Sequence, residues 1–213
     1  MDIEQLANRL VLWIRDKVLN AGSKGVVVGI SGGLDSSVAV VLCHLALGQN
    51  ALALIMPCHS NQTDEQHALA VTNMFAIPTK IIVLDKIYDT LLEVLPIKKD
   101  SALSRVTKGN LKARLRMLTL YFYANQYQYL VVGSGNRSEL AVGYFTKHGD
   151  DSVDILPLGN LVKLKVKELA GFLGIPQEII NKAPSGQFGM HSPQPVQSSS
   201  LIFMILRITI LFT

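Results

Sequence analysis

The sequence predicts an α/β protein, a doubly wound parallel sheet flanked by helices. Three observations carry this. Strand-length apolar runs (25–30, 51–56, 79–84 and 129–132) alternate with segments of helical period. The runs are continuously apolar rather than alternating, the pattern of parallel strands covered on both faces. A glycine-rich turn, Gly29-Ile30-Ser31-Gly32-Gly33-Leu34-Asp35-Ser36-Ser37, joins the first run to the helix behind it. In such sheets ligands bind beyond the carboxyl ends of the strands, so the loops after Ile30, Met56, Leu84 and Val132 matter most.

Taken in order, residues 2 to about 20 place Ile3, Leu6, Leu10, Trp13, Ile14 and Val18 on one helical face, ended by Asn20-Ala21-Gly22. The first strand and the glycine turn follow, with a helix running to Leu47. Gly48-Gln49-Asn50 is a turn and Ala51–Met56 a second strand, stopped by Pro57. Thr63-Asp64-Glu65-Gln66 reads as a capping box opening a helix to about Ala76. Thr79–Leu84 is a third strand, and Lys86–Leu95 a short helix ended by Pro96. Residues 97–107 are polar and loop-like. A long helix from Lys108 to about Asn125 has Leu111, Leu115, Leu118 and Phe122 as its buried stripe, with Lys108, Lys112 and Arg116 on another face. Tyr129–Val132 is the fourth strand. Residues 133–154 form a Gly-, Asp- and Lys-rich loop with one helical turn. Leu161–Leu173 is a helix capped by Gly174, and Pro176–Lys182 a short final one. No internal repeat is seen.

The glycine turn gathers backbone N–H groups and the positive end of a helix at one point, a site for phosphate. Its glycines allow close approach of an anion, and Ser31, Ser36 and Ser37 add hydroxyls. Asp35 beside a phosphate is repulsive unless a cation lies between them, which points to Mg²⁺. No Lys-Ser or Lys-Thr closes the loop as in Walker sequences, and the glycine spacing is wrong for a dinucleotide fingerprint.

With 213 residues the chain is expected to form one domain. A net charge of +4 suits a small anionic ligand and is too weak and dispersed for nucleic acid. Cys43 and Cys58 have no metal or redox spacing and read as thiols of a reducing compartment. The N-terminus lacks a signal-peptide pattern, and the expected location is cytoplasmic. Asn61-Gln62-Thr63 and Asn136-Arg137-Ser138 then match the glycosylation pattern by chance. The histidines form no catalytic or metal set, and no serine has a hydrolase-like context.

Three further constellations stand out. Arg114 sits at the edge of its helix's apolar stripe, either as a snorkelling arginine or with an anionic partner. Glu139 follows the small-residue turn Gly133-Ser134-Gly135-Asn136-Arg137-Ser138. It either completes a Mg²⁺ site with Asp35 or is an ordinary first-turn glutamate. Gly143-Tyr144-Phe145-Thr146-Lys147-His148-Gly149-Asp150-Asp151 offers rings for stacking and a lysine for an anion, or is plain turn chemistry.

The first loop resembles the SGG-x-DS loop of the ATP pyrophosphatases. Together with Lys108-Gly109-Asn110-Leu111-Lys112-Ala113-Arg114-Leu115-Arg116-Met117, Gly133–Glu139, Gly143–Asp150 and Asp154–Leu158 it is similar to ammonia-dependent NAD synthetase, over roughly residues 5–185. The resemblance implies an adenine-nucleotide α-hydrolase-like fold. It implies adenylation of the nicotinate carboxylate of deamido-NAD by ATP, then displacement of AMP by ammonia. By resemblance, Gly29, Ile30, Ser31, Gly32, Gly33, Leu34, Asp35 and Ser36 bind ATP with Ser134, Lys163 and Ser185. Asp35 and Glu139 hold Mg²⁺. Arg114, Lys147 and Asp154 contact deamido-NAD, and Asp35 and Lys163 are the catalytic pair. Family members are homodimers, and the same is expected here. About 28 residues precede the loop, too few for a glutaminase domain, so the expected nitrogen donor is free ammonia or a separate protein's product.

The expected division is a synthetase-like domain over 1–185 and a divergent tail over 186–213. The tail is rich in Ser, Pro and Gln, then apolar from Leu201 to Phe212 apart from Arg207 and Thr209. That run is too short for a membrane span. The family would continue with an acidic loop, a helix and a basic segment, so out-of-frame or alternatively spliced sequence is expected here. Two other functions compete: a truncated, non-catalytic nucleotide-binding or dimerising form, and another ATP pyrophosphatase. The latter would want extra cysteine ligands or a basic RNA-binding extension, and neither is seen.

Overall fold

The computed structural model describes residues 2–95 and 105–182. Ser185, the tail 186–213 and most of the 97–107 loop lie outside them. The elements are α1 (Ile3–Asn20), β1 (Gly25–Gly29), α2 (Leu34–Leu47), β2 (Ala51–Ile55), α3 (Gln62–Met74), β3 (Thr79–Ile81), α4 (Asp85–Val94), α5 (Arg105–Tyr127), β4 (Tyr129–Val132), α6 (Arg137–Ala141), α7 (Lys163–Leu173) and α8 (Gln177–Ile180).

The four strands form one parallel sheet in the order β3-β2-β1-β4. Val26 pairs with Ala51 on one side and Leu130 on the other. After β1 the chain adds strands outward in one direction, then returns to place β4 on the opposite side. The order therefore reverses between β1 and β4, and the loops leaving these two strands open a crevice there.

The strand pleat divides the core. Val26 and Val28 face a layer built by α1, α2, α3, α7 and α8, where Ile14, Val18, Leu42, Val71, Leu169 and Ile179 are buried. Val27, Leu52 and Leu54 face the other layer, built by α4 and α5, with Leu84, Tyr88, Leu115 and Ala124. The covered sheet explains why β1 and β2 are apolar at every position.

Three local expectations change. Helix α3 starts before the Thr63 box, because the Asn61 side chain accepts from Thr63 N at 3.1 Å and caps it. Strand β3 ends at Ile81, although Ile82 N still donates to Ile55 O and Leu84 N to Pro57 O beyond it. It is an edge strand, with Ile81 and Val83 exposed.

The third concerns α5, which already includes Arg105. Leu111 and Leu115 pack as expected, but Leu118 is 64% and Phe122 63% exposed. The helix meets the sheet instead through Leu120, beside Gly29, and the buried Ala124. Ala124 lies nine residues from Leu115, half a turn round the helix. Apolar residues thus occupy two opposite sides of α5, and only one of them is wanted by the sheet. Arg116, on the expected polar face, is half-buried and donates from Nε to Met56 O at 3.0 Å and from Nη2 to Ser60 Oγ at 3.3 Å.

Leu169, wholly buried, packs α7 into the core. Leu169→Ala is expected to cost about 2–5 kcal/mol in urea unfolding. A loss below about 1 kcal/mol would contradict this packing.

Candidate active site

The first side of the crevice is the β1–α2 turn. Gly32 has φ +72, and a β-carbon there would lie 2.0 Å from the Asp64 carbonyl oxygen at the start of α3. Both conformation and space demand glycine. Gly33 occupies the N-cap of α2 without a side-chain cap bond, which leaves the first-turn N–H groups available to an anion. The serines shape the loop. Ser37 Oγ donates to Gly33 O at 2.8 Å and Ser36 Oγ to the same carbonyl at 3.1 Å. Ser31 Oγ lies 3.0 Å from Ser36 Oγ. Ser37 is fully buried, so its hydroxyl braces the turn instead of facing a ligand. Ile30 is likewise spent on the fold, its side chain in the core and its N–H on Leu54 O.

The second side follows β4. Gly133 is packed so tightly that a β-carbon would meet Leu156 Cδ1 at 2.7 Å, which admits the turn beneath the following loop. Ser134 and Gly135 line the crevice, and Asn136 caps α6 in a full capping box. Glu139 N donates to Asn136 Oδ1, and Asn136 N to Glu139 Oε2, both at 3.1 Å. Ser138 Oγ accepts from Lys163 N at 3.1 Å, so the short α6 also fixes where α7 begins.

These pieces converge on Asp35. Asn136 Nδ2 donates to its Oδ1 at 3.0 Å, and the Lys163 ammonium pairs with its Oδ2. Asp35, Glu139, Ser31, Gly33, Ser36, Ser134, Tyr144, Phe145, Asp150 and Asp151 line one cavity of about 240 Å³. The lining brings four carboxylates together with no histidine or cysteine. Burial raises the Glu139 pKa above the usual 4.5, and the nearby Asp35 charge raises it further. The Asn136 N–H and Lys163 pull it back in part. Among the described residues no cluster of three or more His, Cys, Asp or Glu could hold a metal.

Arg114, Lys147 and Asp154 do not line this cavity; they lie along α5. Arg114 donates from Nε and Nη2 to the Lys147 carbonyl oxygen at 3.2 and 3.0 Å. Its partner in the structure is thus a backbone oxygen, and its guanidinium stays exposed. Asp154 accepts from Val131 N at 2.7 Å and from Tyr121 OH at 3.1 Å. Tyr121 is two helical turns beyond Arg114, on the same side of α5. The 143–151 loop is closed on itself and on α5. Thr146 N donates to Asp150 Oδ1 at 2.8 Å, Gly149 N to Asp151 Oδ1 at 3.1 Å, and Thr146 Oγ1 to Asn110 Oδ1 at 2.9 Å.

The NAD synthase family model matches residues 6–199. The chain belongs to the NAD synthase family. The NH(3)-dependent NAD(+) synthetase of Syntrophomonas wolfei is 44% identical over 188 residues, 87% of this chain and 76% of that relative. The NMN synthetase structure from Francisella tularensis is similar with a TM-score of 0.81 and 41% identity, covering 87% of this chain and 76% of that one. An NH3-dependent NAD synthetase from Campylobacter jejuni, solved with a nitrate ion, gives 0.78 and 35%, covering 84% and 77%. The family fold is the parallel α/β architecture expected of an adenine-nucleotide α-hydrolase.

Sequence reasoning gave Asn136 no role of its own, since it stood only within the small-residue turn 133–138 and a chance glycosylation triplet. It is wholly buried, and it donates to both carboxylates, from its side-chain Nδ2 to Asp35 and from its backbone N–H to Glu139. Its spacing to Glu139, an N-cap asparagine three residues before a glutamate, was the available signal.

The Glu139 shift has a consequence for stability. An acid whose pKa is raised in the fold binds its proton more tightly there than in the unfolded chain. Its contribution is complete below about the ordinary 4.5 and is lost as pH rises through the folded value. In metal-free buffer, Glu139→Gln is expected to raise the melting temperature relative to wild type more at pH 8 than at pH 4. A difference independent of pH would contradict the burial of this carboxylate.

Proposed function

We propose that the protein is an ammonia-dependent NAD synthetase, a ligase that amidates deamido-NAD at the expense of ATP. The observation that carries the reading is the convergence of Asp35, Lys163, Ser134 and Glu139 on the β1–β4 crevice of a chain in this family.

In the proposed reaction a carboxylate oxygen of deamido-NAD attacks the α-phosphorus of ATP, and the bond to pyrophosphate breaks. Ammonia then attacks the activated acyl carbon and AMP leaves with the bonding pair. Neither step needs a protein nucleophile. The chain has to position two anions and disperse charge on the transferring phosphorus. The N–H groups opening α2 face the triphosphate, with Ser134 on the opposite wall. Lys163, held by Asp35, is placed to meet a phosphate oxygen. Arg114 and Lys147 form the cationic end for the acceptor, with Asp154 beside them. Ser185 is proposed as a further ATP contact.

A cavity with four carboxylates repels a triphosphate unless cations accompany it. Two buried-facing carboxylates with oxygen donors alone suit a hard cation that completes its shell with phosphate and water. Asp35 and Glu139 would hold Mg²⁺. Bound there, Mg²⁺ neutralises phosphate charge. We further propose one synthetase domain over 1–185 with a separate tail over 186–213, and a cytoplasmic location, supported by two free buried thiols, Cys43 and Cys58. No helix among the described residues is long and apolar enough to cross a membrane.

The test is incubation with ATP, Mg²⁺, ammonium and deamido-NAD, assayed for NAD. Because the similar Francisella tularensis protein is an NMN synthetase, the mononucleotide acceptor is assayed in parallel. Asp35→Ala is expected to lower the rate at least about 100-fold. ATP binding without turnover of either acceptor would overturn the reading.

We also propose a homodimer, supported by the exposure of Leu118 and Phe122 on α5 among the described residues. Leu118→Asp is expected to shift the protein to monomer in analytical ultracentrifugation, and a wild-type monomer at micromolar concentration would refute this.

A further inference from the structure

Asn136 contributes more than a helix cap. Its side chain is 0% exposed and bonded at both ends of the amide. Oδ1 accepts from Glu139 N at 3.1 Å, Nδ2 donates to Asp35 Oδ1 at 3.0 Å, and its backbone N–H donates to Glu139 Oε2 at 3.1 Å. The assignment of oxygen and nitrogen is fixed by these partners. A flipped amide would set oxygen against the Asp35 carboxylate and NH₂ against a backbone N–H.

We infer that Asn136 is a positioning residue that presets the Asp35–Glu139 carboxylate pair for a divalent cation. The inference rests on the proposed role of that pair. Two carboxylates facing one cavity from its two sides repel each other, and a neutral residue that bonds to both opposes their separation without neutralising either. A carboxylate oxygen can accept more than one hydrogen bond or ligand, so the Asn136 contact leaves Asp35 Oδ1 able to accept a cation. Lys163 satisfies the other oxygen with a charge, whereas Asn136 supplies direction alone. Aspartate here would cap α6 equally well but set a third carboxylate against the other two. Leucine would strand the Glu139 N–H.

The two roles of Asn136 can be separated. Serine retains an acceptor for the Glu139 N–H and so keeps the cap, but is too short to reach Asp35. The experiment titrates Mn²⁺ into wild type and Asn136→Ser in the presence of a non-hydrolysable ATP analogue, with thermal melting alongside. The expected result is Mn²⁺ affinity at least about 10-fold weaker in the variant, as for other residues that orient metal ligands, with little change in melting temperature. Equal Mn²⁺ affinity in the two proteins overturns the inference and leaves the proposed function standing. Wild type that binds no Mn²⁺ overturns the metal role of Asp35 and Glu139, and this inference with it. If the serine variant does not fold, Asn136→Thr, which also caps and fills more of the buried volume, carries the same comparison.

Discussion

The carboxylate of Asp35 is the point on which the site depends. It lies in the first turn of α2, where the uncapped helix end favours negative charge. Glu139 on the same cavity disfavours it. The contest is settled by a cation and a neutral donor, Lys163 on one oxygen and Asn136 on the other. Through these two bonds a single side chain joins the β1–α2 turn, the loop after β4 and the start of α7. The sheet order makes this possible, since only neighbouring strands with oppositely directed crossovers can bring those segments together.

The supports behind Asp35 are steric as much as polar. Gly32 presses on the Asp64 carbonyl, and Asp64 in turn pairs with Lys182 beyond α8. Gly133 lies under Leu156 and Val153, so the second turn cannot rise into the crevice. Glycine at these positions serves close packing, and the anion-facing N–H groups follow from it. The serines of the loop fit the same account. Ser36 and Ser37 share the Gly33 carbonyl and hold the turn in the shape that exposes its amides.

Much of this was legible in the chain itself. Gly25-Val26-Val27-Val28 read as a covered strand from its β-branched run, and the glycine turn behind it as a helix start, and both form as read. Two small-residue turns at the ends of parallel strands left Glu139 as either a companion of Asp35 or an ordinary first-turn glutamate, and the structure puts both carboxylates on one cavity. The α5 stripe failed for a physical reason: periodicity reports which residues are apolar, not what covers them. Leu118 and Phe122 continue the line of Leu111 and Leu115, yet the sheet takes Leu120 and Ala124 from another side. Lys163 as the partner of Asp35 could not be derived from spacing, because 128 residues separate them. Asn136 was hidden by the opposite problem, a residue whose cap signal was local and whose more informative bond is long-range.

The acceptor side follows a different logic from the phosphate side. Arg114 spends two of its five N–H donors on one backbone oxygen, that of Lys147. A lysine could make one such bond but could not fix the plane of the group that makes it. The guanidinium therefore locks the 143–151 loop to α5 while the rest of its surface stays exposed. Because Asn110 and Ala113 hold the same loop, and Tyr121 holds Asp154, one rigid helix sets every group proposed for the acceptor. That helix also lies on the Val27 face of the sheet, beneath the strands whose ends form the phosphate side. The two anions would be aligned by a single element packed against the sheet, so the precision of the proposed attack on the α-phosphorus comes from core packing rather than from the loops that touch the substrates.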